Sequence, residues 1–271
     1  MNDNDIKFLK NEFQSALSKV AKDPFCVGIL QRKFSHSSRV LQNGIQIIEH
    51  DIPELLKNPR LFKLCKQALF FHDIGRFEET AKMYQNNTMH EWGGSICDHG
   101  MLGAKILATS TDYNNIEVVL AVRHHGHLIE DFYNDEEYQN LSPRQKSDAE
   151  IIIKVVRDAD KLDLYHLQKQ CKNLEEDVFF TNLSSEQKNA PLSVAVTNQF
   201  FEAQPINHRF IRSFSDRILG CISWQFDLNF DFTKQLYISK GYRQMLLDLL
   251  ATYCFDKELL AKIIKFASSK V

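Results

Sequence analysis

The sequence has no C-x-x-C pair, and its six cysteines (Cys26, Cys65, Cys97, Cys171, Cys221 and Cys254) stand far apart. That argues against a zinc ribbon or a disulfide framework and leaves small apolar thiols in a reducing cytoplasm as the expected use. No run of about 18 consecutive apolar residues occurs, so no transmembrane helix is expected. The opening residues, Met1 to Asp5, are polar and acidic and lack the basic flank and apolar stretch of a signal peptide. Neither charge dominates: 33 basic against 35 acidic side chains leave −2. That balance gives no electrostatic reason to expect nucleic acid or an acidic membrane as partner. Glycine and proline are scarce, ten and six in 271 residues, and strand-like alternation is rare. All-α is the class that remains.

Helical periodicity is abundant. Ile6, Leu9, Phe13, Leu17 and Val20 recur every three or four residues, and similar stripes run through 36–48, 61–72, 102–108, 116–125, 151–167 and 243–264. Residues 82–98, with Gly93 and Gly94, read as a loop, and 181–191 as a polar surface excursion. Ser142 before Pro143 reads as a helix start. No repeat divides the chain. One domain over 1–271 is expected, its motif-bearing core at about 30–170 and helices of 200–271 packed on it.

Several stripes carry residues that do not belong in a core. His36 shares a helix face with Val40, and His72 closes the stripe that begins at Leu61, with Asp73 directly after it. Asp160 falls in register with Ile153, Val156 and Leu164, and His124 continues Ile116 and Leu120. Burying a lone carboxylate costs several kcal/mol unless it is paired or bound to a metal. Any one of these histidines alone is explained as a hydrogen-bonded core residue. The set together asks for a divalent cation. Imidazole and carboxylate suit Zn, Mn, Fe, Co or Ni, with Mg less at home. Asp158, in register with Ile151, Val155 and Leu162, rivals Asp160, and periodicity does not choose between them.

The segments K-F-S-H-S-S-R-V, F-F-H-D-I-G-R-F-E, D-H-G-M-L-G-A-K-I-L with R-H-H-G-H after it, and R-D-A-D-K-L-D together resemble the HD superfamily of metal-dependent phosphohydrolases. The resemblance spans about residues 30–170 and implies an HD-type helical bundle, here with additional C-terminal helices. It implies His36, His72, Asp73 and Asp160 as metal ligands, its A-D-K pattern favouring Asp160 over Asp158. His99, His124 and His125 resemble the ligands of a second metal, with Asp73 bridging two ions; contact with substrate phosphate, or orientation of a ligand, is the alternative for them. Arg76 and Lys161 are the candidates for contact with phosphate beside Asp73, while Glu78 and Glu79 have only proximity in their favour. His90 and His127 are weaker candidates, and His50, His166 and His208 read as surface or structural.

The function implied is hydrolysis of a phosphate ester of a nucleotide or other small molecule by a metal-activated water. Two readings compete: a di-iron oxygenase of the inositol oxygenase type, with His36, His72–Asp73, His99, His124 and Asp160 as ligands, and a non-catalytic nucleotide-binding module. A cyclic dinucleotide is disfavoured as substrate, since H-H-G-H-L stands where cyclic-di-GMP phosphodiesterases carry G-Y-P. Core packing is the expected role of Ile218, Ile222 and Phe226 in the C-terminal third. Closing a pocket with Trp224, Phe226 and Phe230, or forming a homodimer surface, is also compatible with that stretch.

Overall fold

The computed structural model describes residues 1–89, 97–171 and 184–270; His90, Gly93, Gly94 and residues 181–183 lie outside them. Two compact units are present, Met1–Asp163 and Leu164–Val271. Among the described residues every regular element is helical, as the periodicity predicts. No described helix is long and apolar enough to cross a membrane.

In the first unit most helices begin on a side chain that satisfies their free amides. Asn2 and Asp5 form a capping box for α1 (Asp3–Val20), and Asp23 followed by Pro24 starts α2 (Pro24–Asp51). Asn58 caps α3 (Pro59–Phe71). A turn over residues 72–74 then leads into α4 (Gly75–Gln85), which has no side-chain cap. Asp98 caps α5 (His99–Ala108) and Asn115 caps α6 (Ile116–His124). Two short helices, α7 (Ile129–Tyr133) and α8 (Glu136–Gln139), precede α9 (Pro143–Gln170), whose last residues count with the second unit. The expected start of α9 is found, with Gln145 N donating to Ser142 Oγ.

The stripes bury as one core. Leu9, Leu30, Ile48, Leu69, Phe71, Leu120 and Val156 have no solvent exposure. Burial of each such side chain stabilises by about 1.5–3 kcal/mol. Phe71 lies edge-on to Phe8 and Tyr113. This packing fixes α3 up to its last residue, and so fixes where His72 and Asp73 emerge. Gly75 and Gly100 allow the next approach: a Cβ at Gly75 would overlap the His99 carbonyl, and one at Gly100 the Arg123 carbonyl. Only glycine lets α4, α5 and α6 close on one another here.

In the second unit, α10 (Ser185–Asn189), α11 (Val194–Phe201) and α12 (Phe214–Ser223) are followed by α13 (Asp231–Ser239), α14 (Tyr242–Tyr253) and α15 (Lys257–Ser268). Asp216 accepts from the backbone amides of Ser193, Arg212 and Ser213 and from Ser193 Oγ, tying the start of α12 to that of α11. Ile218 and Ile222 are buried. The stripe read as continuous over 243–264 breaks at 254–256, because Asp256 caps a new helix by accepting from Leu259 N.

Candidate metal centre

Four helices and one turn deliver the candidate ligands. His36 comes from the middle of α2, His72 and Asp73 from the turn after α3, Asp160 from α9, His99 from the first residue of α5, and His125 from just past α6. His36 Nε2 lies 3.0 Å from Asp160 Oδ1, 3.1 Å from His72 Nε2 and 3.6 Å from Asp73 Oδ2. His72 Nε2 is 3.7 Å from both Asp73 Oδ2 and Asp160 Oδ1. The other oxygen, Asp73 Oδ1, stands 3.5 Å from His99 Nε2 and 3.5 Å from His125 Nε2, which are themselves 3.2 Å apart. The two oxygens of Asp73 thus face two different pairs of imidazoles.

The outer ring nitrogens show what the inner ones offer. His36 Nδ1 bonds Asp163 Oδ2 at 2.6 Å, His72 Nδ1 bonds the Leu69 carbonyl at 2.9 Å, and His125 Nδ1 bonds the Val122 carbonyl at 2.8 Å. Each of these partners can only accept, so each Nδ1 carries a proton and each ring turns its Nε2 inward, as a bare lone pair wherever the ring is neutral. Three inward Nε2 atoms and two carboxylates therefore converge: His36, His72, Asp73 and His125 are buried, and Asp160 is half-buried. Such an acceptor-rich cluster is costly unless a cation sits among it.

The electrostatics separate the histidines. Burial pulls His72 down to about 4, so its ring is neutral. Burial, with Arg76 and His125 nearby, holds His99 well below the usual histidine value. Burial works to raise Asp73, yet Lys33, His72, His125 and Arg76 outweigh it and hold the carboxyl well below its usual range. Asp160 is depressed too, its bond to His36 outweighing burial. In His36 burial is overcome by the bonds to Asp160 and Asp163, and its value rises.

The distances fit a metal. Bonds of about 2.1 Å from Zn-like ions to nitrogen and oxygen place neighbouring donors about 3.0 Å apart in an octahedron and about 3.4 Å in a tetrahedron. His36, His72 and Asp160 form one group within reach of a common ion, and His72, Asp73 and His125 another.

His124 is not brought into this cluster. Its Nε2 bonds Asp135 Oδ2 at 2.8 Å and its Nδ1 lies 3.2 Å from His127 Nδ1, so both ring nitrogens are engaged elsewhere. His127 in turn bonds Asp98. Arg76 does reach the centre: its Nε is 3.5 Å from Asp73 Oδ1 while Glu79 accepts from Nη1 at 2.7 Å. Lys161 is buried with Nζ directed at the Arg157 carbonyl, 3.4 Å away. Asp158 is fully buried, but Asp160 is the carboxylate that meets His36. Glu78 pairs with Lys19 at the surface, and His50, His166 and His208 are exposed.

Three residues escaped the sequence reading. Asp163 receives His36 Nδ1 and is itself gripped by Arg39 through Nε at 2.7 Å and Nη2 at 3.0 Å. Lys33 Nζ sits 2.8 Å from Asp73 Oδ2. Helical register was the available signal: Asp163 follows Asp160 by three residues, Arg39 follows His36 by three, and Lys33 precedes it by three.

Compared with known proteins, residues 34–165 match the sequence model of the family described as HD domain. No curated protein matches, and neither does any solved structure.

Proposed function

We propose that this chain, whose residues 34–165 match the HD-domain family model, is a metal-dependent phosphohydrolase of that superfamily acting on a small phosphorylated molecule, nucleotides included. The observation that carries the reading is the convergence of three inward-facing Nε2 atoms on the carboxylates of Asp73 and Asp160. His36, His72, Asp73 and Asp160 would hold one ion, and Asp73, His99 and His125 a second. The donor chemistry suits Mn, Fe, Zn, Co or Ni better than Mg. A divalent ion there supplies Lewis acidity toward a phosphate oxygen and acidifies a bound water.

The remaining work falls to the chain. Asp163 with Arg39, and the Leu69 and Val122 carbonyls, hold three imidazoles by Nδ1 with Nε2 directed at the metal position. Arg76, oriented by Glu79, presents a planar cation beside Asp73 where a phosphate can take a bidentate contact. It is better placed for this than Lys161.

Metal analysis coupled to a panel of nucleotides and phosphate esters tests the reading, on wild type and on Asp73→Ala. Wild type is expected to retain one or two transition-metal ions and release phosphate from at least one substrate, while Asp73→Ala loses both properties. A folded Asp73→Ala that keeps metal and activity would sink it. The same two-sided arrangement of imidazoles around Asp73 also suits a di-iron oxygenase, so two irons with substrate-dependent oxygen uptake would move the assignment there. Nucleotide binding without turnover under every metal supplied would favour the non-catalytic module.

A further inference from the structure

Lys33 is the one lysine with an ion pair to a candidate ligand among the described contacts, and no motif brings it to notice. It lies on α2 one turn before His36, and its ammonium takes Asp73 Oδ2, the oxygen that also faces His36 and His72. Its side chain is 21% exposed, against 4% for Asp73, so the amine enters the cluster from the solvent edge. Arg76 stands at the opposite oxygen of Asp73. One carboxylate therefore has a cation at each end, and only the lysine is on a flexible, single-point stem.

That placement conflicts with a loaded site. An oxygen bound to a divalent ion cannot keep an ammonium at 2.8 Å without strong like-charge repulsion in a buried setting. The released amine stays tethered beside the centre, where the neighbouring anion is the substrate's phosphate. We infer that Lys33 exchanges partners, pairing with Asp73 in the metal-free protein and with the phosphate group of the bound substrate once metal is present. The inference rests on the metal-centred phosphohydrolase reading, and it assigns to that site a phosphate contact separate from Arg76.

Two affinities moving in opposite directions would mark this exchange, because a merely structural lysine would weaken both when removed. Manganese alone is titrated into metal-free wild type, Lys33→Met and Lys33→Arg by calorimetry. Inorganic phosphate is then titrated into each manganese-loaded protein, with circular dichroism confirming that each is folded. Lys33→Met is expected to bind manganese about tenfold more tightly and phosphate about tenfold more weakly, whereas Lys33→Arg keeps phosphate binding near wild type. If Lys33→Met lowers both affinities or leaves both unchanged while wild type binds metal and releases phosphate, the exchange is wrong and the phosphohydrolase reading survives. Wild type that binds no metal overturns both.

Discussion

The two oxygens of Asp73 look out on unequal surroundings. On the Oδ2 side His36 and His72 are buried, each has its outer nitrogen pinned, and Asp160 adds a second carboxylate. On the Oδ1 side His125 is buried and pinned through Val122, His99 is 16% exposed like Asp160, and among the described residues no further carboxylate joins them. One side offers four donors, two of them carboxylates, and the other, shallower in donors, offers three. Rigid, fully ligated sites bind metal tightly, and a site left partly open favours exchange and access for water or substrate. The first side, with more donors, is therefore expected to be the anchoring side, the one that holds its ion more tightly.

The largest effects should expose this inequality. His72→Ala removes a donor from the anchoring side, and loss of a ligand should exceed the 10–100-fold cost of losing a mere supporting partner, so activity is expected to fall more than about a hundredfold. Metal content should fall with it, and His72→Gln, which keeps more of the core volume, should behave alike. His99→Ala is expected to give up the ion of the shallower side while the other stays bound. Metal quantification on purified protein checks this. If His99→Ala strips all metal while His72→Ala retains it, the ranking of the two sides is reversed.

A smaller, more selective effect should come from Asp163→Asn. Asparagine can still accept the His36 proton but no longer carries the charge that raises the imidazole's affinity for metal, and Arg39 loses its anionic partner. Metal affinity of the anchoring side is expected to drop by about 10–100-fold with the shallower side unaffected. Sequential manganese titration separates the two. An unchanged first dissociation constant would reduce Asp163 to a packing residue.

How the sequence spelled this out differs from residue to residue. His36, His72 and Asp160 were legible because each interrupts an apolar stripe, and a stripe says which way a helical side chain points. The same logic failed at R-H-H-G-H. His124 extends the stripe of α6 and is indeed buried, but against Phe132 and Asp135, while His125 beside it turns into the cluster. Adjacent residues at a helix end lie about 100° apart, and which of them meets a carboxylate on another element is decided by tertiary packing that periodicity does not encode. Lys33, Arg39 and Asp163 were missed for a related reason. A charge on a part-polar helix face reads as solvated until the facing helix is known. The break at 254–256 was hidden because apolar register carries across it, and only the capping aspartate marks it.

The smallest prediction bears on the histidine left outside. Asp135 accepts from His124 Nε2 and from Arg123 Nη1, both at 2.8 Å, and caps α8 through the Glu137 amide. Burial works to raise this carboxyl, but the bonds from His124 and Arg123 outweigh it and lower it to about 2. A depressed carboxylate stabilises the fold at pH above its unfolded value of about 3.9 and loses that contribution as pH falls through the folded value. Asp135→Asn can keep the cap through its one oxygen, since asparagine is an equally good N-cap, and removes the charge together with the acceptor for His124 and Arg123. It is expected to cost about 1 kcal/mol near pH 6, held to that size by solvent screening, and the difference from wild type should close between about pH 4 and pH 2. Denaturant melts across that range read it directly, and metal content near neutral pH should match wild type. Loss of metal in Asp135→Asn would mean that His124 serves the centre after all, and the division between the two adjacent histidines would have to be redrawn.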